Sequence, residues 1–120
     1  MNETTQALKM IARHLDEVQP QPCPCGSARR IITKNDTDVA GFHITTIKNA
    51  DRHYHKKTTE IYHILEGQGT LEVGEEQVDL TPGMTVLVPK GTRHRGWGDF
   101  KTVVVTVPAF DPEDEFVMEI

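Results

Sequence analysis

Three histidines and one glutamate stand at spacings that could bind a metal ion. His53 and His55 are one residue apart, so in a strand, where side chains alternate between faces, both imidazoles point the same way. Glu60 follows after four polar residues, which leave room for a turn, and His94 comes from a distant strand. Three neutral imidazoles and a carboxylate suit Fe, Mn, Ni, Co, Cu or Zn rather than Ca or Mg. We predict one divalent transition metal ion on these four residues, with positions left open for water, dioxygen or substrate.

The residues that follow Glu60 share its strand and can be sorted by parity. Tyr62 has the parity of Glu60, so its side chain is predicted to point toward the metal. Its hydroxyl could orient a substrate, which makes Tyr62 the candidate catalytic residue, or it could be a core residue with a satisfied hydroxyl. His63 has the opposite parity and should face away. His43 could line a pocket, although a core or surface position is favoured.

The strands that must hold these residues can be read from the composition of the chain. From Arg29 onward, short segments rich in Val, Ile and Thr are separated by Gly, Pro and Asp, which is typical of strands and turns. Many short strands without helical patterns between them favour an all-β sandwich or barrel over a βαβ fold. The predicted strands are Arg30–Thr33, Ala40–Lys48, His53–His55, Glu60–Glu66, Gly69–Val73, Glu76–Leu80, Thr85–Val88, His94–Trp97 and Lys101–Val107.

The first part of the chain is predicted to form an amphipathic α-helix, Asn2–Val18, with Asn2 as its N-cap. Prolines that follow this segment prevent the helix from continuing. We expect residues 1–27 to form this helix and a Pro-rich linker, and residues 28–120 to form the β-barrel domain. Four apolar residues at three- and four-residue spacings give the helix one apolar stripe: Leu8, Ile11, Leu15 and Val18.

The two cysteines, Cys23 and Cys25, are separated by one proline. Such close cysteines are poorly placed to bridge each other without strain, so we expect free thiols in a reducing compartment. They could be half of a thiolate metal site, but the sequence has no second cysteine pair to complete one. The alternative is a Pro-rich linker that happens to contain two cysteines.

Composition excludes several classes of partner. The 120 residues fit one domain, and the formal net charge of −5 argues against a nucleic-acid partner, which needs a basic footprint. No apolar run approaches the ~20 residues of a membrane span, so we expect no membrane partner. The polar N-terminus has no apolar signal core, which predicts residence in the cytoplasm.

Around the candidate ligands, the sequence resembles the two motifs of the cupin superfamily. The first motif corresponds here to His53-x-His55, four residues, Glu60, six residues and Gly67. The second corresponds to Gly83, five residues, Pro89-x-Gly91, two residues and His94.

Two positions depart from these motifs, because Ile47 replaces a leading glycine and Gly98 replaces a closing asparagine. Both lie outside the candidate ligand set. The resemblance implies a double-stranded β-helix, which is a jelly-roll barrel with the metal in its mouth. It also implies a homodimer packed through sheet faces.

Three functions are compatible with such a protein. The first is a metalloenzyme that acts on a small organic molecule, such as a sugar or carboxylate, by dioxygenase-type or isomerase-type chemistry, with open metal positions as Lewis acid or oxygen site. The second is a non-catalytic module that binds a small sugar or carboxylate through the metal. The third is a purely structural ion, although structural sites are normally closed.

Overall fold

A curled antiparallel sheet of nine strands makes up most of the chain in the computed structural model, which describes residues 9–118. The sheet closes far enough to form a half-barrel, and the chain is all-β in its regular structure apart from two short 3₁₀ turns, Leu15–Glu17 and Pro112–Asp114. The strands are β1 (Gln21–Cys23), β2 (Gly26–Ile32), β3 (Gly41–Asn49), β4 (His53–Tyr54), β5 (Thr59–Val73), β6 (Glu76–Leu80), β7 (Thr85–Val88), β8 (His94–Val107) and β9 (Phe116–Val117).

Two long strands, β5 and β8, form the spine of the sheet and pair along nearly their whole length. The sequence predicts each of them as two strands, because glycines interrupt the β pattern. In the structure, each strand continues through its glycines, because they lie where the backbones of β5 and β8 approach each other closely. A Cβ atom on Gly67, which has a φ of +88°, would collide with the carbonyl oxygen of Asp99. The glycines therefore allow the spine to curl and do not end it.

Side-chain alternation along the strands creates the core. Residues of one parity face the inside of the half-barrel and are buried, while their neighbours face outward. The inner end of the half-barrel is apolar, and the polar candidate ligands lie at the other end. The apolar core consists of Ile47, Ala50, Tyr62, Ile64, Leu71, Leu80, Val88, Phe100 and Val104.

The predicted N-terminal α-helix Asn2–Val18 is wrong for the part of it that the structure describes. Residues 9–18 contain no α-helix, and their regular structure is the 3₁₀ turn Leu15–Glu17. Two members of the proposed apolar stripe, Ile11 and Leu15, are each 41% exposed, so the stripe has no core surface to cover. The predicted N-cap Asn2 lies outside the described residues.

Two arginines explain why this segment runs along the sheet without helical hydrogen bonds. Arg29 donates from Nη1 to the backbone carbonyls of Leu15 and Val18 at 3.1 and 2.9 Å. Arg13 donates from both terminal nitrogens to the carboxylate of Asp36 at 2.8 Å. Partners from β2 and from the turn after it thus satisfy polar groups of the segment, and an amphipathic helix without a packing surface has little stability in water.

The expectation of free thiols is also wrong, because the structure joins Cys23 and Cys25 in a disulfide. The β1–β2 hairpin turns between them, with Cys23 opposite Gly26 in the register. This turn brings the two Cα atoms to 5.0 Å, within the range that a disulfide spans. Within residues 9–118, no helix is both long and apolar enough to cross a membrane.

Candidate metal centre

Three histidine side chains meet at the polar end of the half-barrel. His53 on β4 lies directly opposite His94 on β8 in the antiparallel register, and His55 follows β4 by one residue. All three side chains are buried, and their donor nitrogens lie within 4.8 Å of one another. Three histidines in this arrangement could hold a metal ion.

Glu60, near the start of β5, lies against two of these histidines. Its Oε1 atom is 3.1 Å from Nε2 of His94, and its Oε2 atom is 3.5 Å from Nε2 of His55. The carboxylate is buried, so its charge needs a compensating partner. The structure thus brings together all four residues that the sequence predicts as ligands, and their coordination of an ion stays a prediction.

Backbone carbonyls fix the orientation of each imidazole ring. Nδ1 of His53 lies 2.8 Å from the carbonyl oxygen of Asp51, and Nδ1 of His94 lies 2.9 Å from that of Thr92. Because a carbonyl only accepts, each Nδ1 carries the proton and donates it. The Nε2 atoms then face the centre, where those of His55 and His94 are buried beside the Glu60 carboxylate without the geometry of a regular hydrogen bond. This donor set fits a divalent ion, because metal-binding histidines usually donate their other nitrogen to such a group.

Asp114 holds the segment that carries His55. Its carbonyl oxygen accepts from Nδ1 of His55 at 2.9 Å. Its carboxylate accepts from the backbone N–H groups of Lys56 and Lys57 at 3.0 Å each, and from the Thr58 hydroxyl at 3.3 Å. Sequence reasoning missed this residue. The proline of Pro112–Asp114 signals a turn there, but no local pattern shows that the turn contacts a segment 56 to 59 residues earlier.

The buried charges of the centre shift one another's protonation. For Glu60, burial favours the neutral acid, but the hydrogen bond and charge of His94 and the charges of His55 and His53 outweigh it and lower the pKa. For His94, burial disfavours the cation, yet Glu60 outweighs it and raises the pKa. Burial and the charge of His94 lower the pKa of His53 to about 4. Without an ion, Glu60 and His94 therefore favour each other's charged forms, while His53 is neutral at neutral pH.

Tyr62 points into the half-barrel, as its parity relative to Glu60 predicts. Its buried hydroxyl donates to Oε1 of Glu60 at 3.4 Å. Burial and then the charge of Glu60 raise the pKa of Tyr62 well above 10, so this hydroxyl keeps its proton at neutral pH. Its catalytic role stays a prediction. His63 has the opposite parity and lies exposed, with Nδ1 2.8 Å from the Thr85 hydroxyl.

A narrow cavity adjoins the cluster and is lined by groups that sequence reasoning did not bring together. Its wall includes the candidate ligands His53 and Glu60 and the half-buried Glu115, whose pKa is raised by burial. The wider apolar groove of about 870 Å³ lies between β6 and β7, and none of the four candidate ligands lines it. The chemistry therefore belongs to the narrow cavity, whose remaining lining residues are Cys25, Arg30, His43, Thr45, Tyr62, Val104 and Phe110.

Comparison with known proteins agrees with this architecture. Residues 44–108 match the sequence model of a family described as Cupin domain. L-ectoine synthase of Aliivibrio fischeri is 33% identical over 112 residues, which cover 86% of each chain. A protein of Methanocaldococcus jannaschii is 31% identical over 71 residues, or 56% of this chain, and the match spans 57% of that relative.

Two solved structures illustrate the similarity of fold. A protein from Planctomyces limnophilus superposes with a TM-score of 0.86 at 32% identity, covering 92% of this chain and 98% of that one. Streptomyces PAC13 with uridine gives a TM-score of 0.83 at 17% identity, covering 93% of each chain. Pac13 is a nucleoside dehydratase, and at this identity the likeness shows the fold alone.

Proposed function

The chain belongs to the cupin family, and on that basis we propose that it is a metal-dependent enzyme acting on a small organic molecule. Its ion is one divalent transition metal held by His53, His55, Glu60 and His94. The half-barrel corresponds to the double-stranded β-helix that the family fold implies. The ion lies at the end that carries the three histidines.

The observation that carries this proposal is the orientation of the histidine rings. Each of the three Nδ1 atoms is directed to a backbone carbonyl oxygen at 2.8 to 2.9 Å. A purely structural polar cluster would satisfy both nitrogens of a buried imidazole. Here Nε2 of His55 and of His94 faces only the Glu60 carboxylate, at 3.5 and 3.1 Å, without the geometry of a regular hydrogen bond. A cation on these atoms accounts for the arrangement.

The residues around the centre favour proton transfer over dioxygenase-type chemistry. A bound divalent ion supplies Lewis-acid polarisation of a substrate oxygen. Tyr62 keeps its proton and lies beside Glu60, so its hydroxyl can turn from that carboxylate and donate its one hydrogen bond to the same oxygen. Glu115 has a pKa raised by burial and lines the same cavity, so its carboxyl is placed to take or return a proton. Dehydration and isomerisation need these elements, and the similarity to L-ectoine synthase supports such a class. The substrate is a small sugar-like or carboxylate-bearing molecule.

The proposal is tested first by measuring the metal content of the purified protein, before any assay of activity. Protein purified without chelator should retain close to one equivalent of a transition metal, and His55→Ala should lose most of it while remaining folded. His63→Ala is the matched control, because it removes an imidazole from the exposed outer face of the same sheet. If His63→Ala loses as much metal as His55→Ala, the ion binds elsewhere and the assignment fails.

We also propose that the protein is a homodimer that packs through the outer face of the sheet. A row of outward side chains crosses four strands in register, Phe42 beside Val105, Val105 beside Ile61 and Ile61 beside Leu87. Leu87 is 59% exposed, and Phe42 and Ile61 are each 37% exposed. Adjacent exposed apolar side chains of this kind mark interaction surfaces.

Light scattering should give a dimer mass for the protein and a monomer mass for Leu87→Lys. A Leu87→Lys dimer would refute this interface. Residence in the cytoplasm stays a prediction.

A further inference from the structure

Unpartnered buried polar atoms are concentrated in the candidate site. Six side-chain atoms in the described part of the chain are buried without a hydrogen-bond partner. Nε2 of His55 and Nε2 of His94 are explained by the proposed ion. Of three others, those on Arg30 and His43 belong to residues that line the narrow cavity, and the third belongs to Thr106, which lies opposite Glu60 in the register. The sixth, Nε of Arg95, lies 3.5 Å from Glu72. Buried polar groups are normally satisfied, so the three interior atoms require a partner.

Strand register places Arg30 and His43 beside Tyr62. Arg30 on β2 lies opposite His43 on β3, His43 lies opposite Val104 on β8, and Val104 lies opposite Tyr62 on β5. Directly opposed residues share a face of the sheet, so one inward row leads from the guanidinium to the tyrosine next to Glu60. Arg30, His43 and Tyr62 all line the narrow cavity that also contains His53 and Glu60.

The guanidinium of Arg30 is held in position by an aromatic ring. Its Cζ atom lies 4.7 Å from the centre of the Phe110 ring, which is a cation–π contact. None of the ion pairs formed within residues 9–118 includes Arg30. Glu115 lines the same cavity and its carboxylate interacts with the charge of Arg30, but the two residues form no ion pair. A half-buried guanidinium outside any ion pair matches the geometry of an incoming carboxylate.

His43 and Thr106 complete the polar wall next to Arg30. A Cβ atom on Gly41 would lie 2.5 Å from Oγ1 of Thr106 and 3.4 Å from Nε2 of His43. The two unpartnered atoms therefore lie on either side of the Gly41 backbone, which packs so closely that residue 41 has no room for a side chain. Burial and the charge of Arg30 lower the pKa of His43 to about 4, so at neutral pH it is an uncharged hydrogen-bonding group. Together the three side chains offer one cation and two neutral polar groups.

From this geometry we propose that Arg30, with His43 and Thr106, forms a subsite for a carboxylate group of the substrate. The proposal rests on the proposed function and names its substrate class. The substrate is a small carboxylic acid with a second oxygen, which reaches the metal centre while the carboxylate is bound by Arg30. Arg30 is then a specificity-determining residue and performs no chemistry itself.

The test measures affinity by isothermal titration for a series of dicarboxylates from malonate to glutarate and for their monoamides, on Zn(II)-loaded protein. The best dicarboxylate should bind at least ten-fold more tightly than its monoamide. Arg30→Gln should weaken the dicarboxylate at least ten-fold and change the monoamide far less. Arg29→Gln is the matched control, because it removes the same charge from the outward-facing neighbour on β2, which bonds to the carbonyls of Leu15 and Val18.

A second readout does not depend on the metal. In metal-free protein, the dicarboxylate should shift the ring nitrogen resonances of His43, assigned by their loss in His43→Gln, and Arg30→Gln should abolish that shift. Arg30→Lys keeps the charge and covers the case in which Arg30→Gln does not fold; it should retain part of the binding.

The outcomes separate the two proposals. If the protein binds no metal but the His43 resonances still shift in an Arg30-dependent way, the subsite is supported and the proposed metal-dependent function is refuted. Equal losses in Arg30→Gln and Arg29→Gln, or no carboxylate binding at any chain length, would overturn the subsite while leaving a measured metal centre intact.

Discussion

The turn that carries His55 should depend on the buried carboxylate of Asp114. This carboxylate accepts from two backbone N–H groups at 3.0 Å and from the Thr58 hydroxyl at 3.3 Å, and Asp114 is only 5% exposed. Asp114→Asn keeps one oxygen but turns an amide NH₂ toward donors that need an acceptor. A hydrogen bond to a charged group contributes about 1.5–3 kcal/mol, and a buried donor without a partner costs about 1–3 kcal/mol. We expect the free energy of unfolding to fall by about 2–5 kcal/mol.

The same substitution should weaken metal binding, because the Asp114 carboxylate holds the turn next to His55 against the backbone carbonyl of residue 114, which accepts from Nδ1 of His55 at 2.9 Å. The carbonyl stays in the variant but its position is no longer fixed, and disturbing a group that orients a metal ligand typically reduces affinity about 10- to 100-fold. Urea unfolding of the metal-free protein measures the first effect, and competition with a coloured chelator measures the second. Asp111→Asn is the control, because the Asp111 carboxylate caps the same 3₁₀ turn by accepting an exposed hydrogen bond from the Glu113 backbone N–H. The reasoning would be refuted if the two variants had the same free energy of unfolding and the same metal affinity.

Two further predictions concern the pH dependence of stability and the effect of adding a side chain at two glycines. Burial and then the charge of Arg30 lower the pKa of His43 from 6.5 to about 4, so the unfolded chain takes up a proton there before the folded protein does. The metal-free protein should therefore lose stability as pH falls from 6.5 toward 4, by at most about 3 kcal/mol from this residue. His43→Gln should flatten that part of the stability curve measured by urea unfolding, and an unchanged curve would contradict the assigned pKa. Gly67→Ala should lower the melting temperature far more than Gly83→Ala, because both glycines have positive φ but only a Cβ on Gly67 meets other atoms, at the Asp99 carbonyl. Equal shifts in the two variants would show that close packing of β5 against β8 does not matter.

Local patterns in the sequence predict the ligand-bearing strands well, because alternation is a property of a strand by itself. Parity alone directs Glu60 and Tyr62 to the same face, and the structure agrees. Spacing also separates the exposed His63 from the buried histidines. The meeting of His53 with His94 depends on pairing between distant strands, and only the resemblance to a known family brought those two residues together.

The remaining parts of the site depend on contacts that no local pattern contains. Asp114 and Glu115 follow the last long strand and return to the cavity through a turn, so their roles appear only in three dimensions. Arg30 is adjacent to Arg29 in sequence and differs from it by parity, which decides that one lines the cavity and the other bonds to the N-terminal segment. Within residues 9–18, the described part of the helix predicted over Asn2–Val18, the prediction fails for the same reason, because periodicity cannot tell whether a surface exists for the stripe to cover.

The most direct test of the account is anomalous diffraction from crystals of the metal-loaded protein, recorded on both sides of the absorption edge of the ion. The account predicts a single peak within ~2.0–2.4 Å of one nitrogen each from His53, His55 and His94 and of a carboxylate oxygen of Glu60. A peak elsewhere, or an ion without His94 among its ligands, would contradict it.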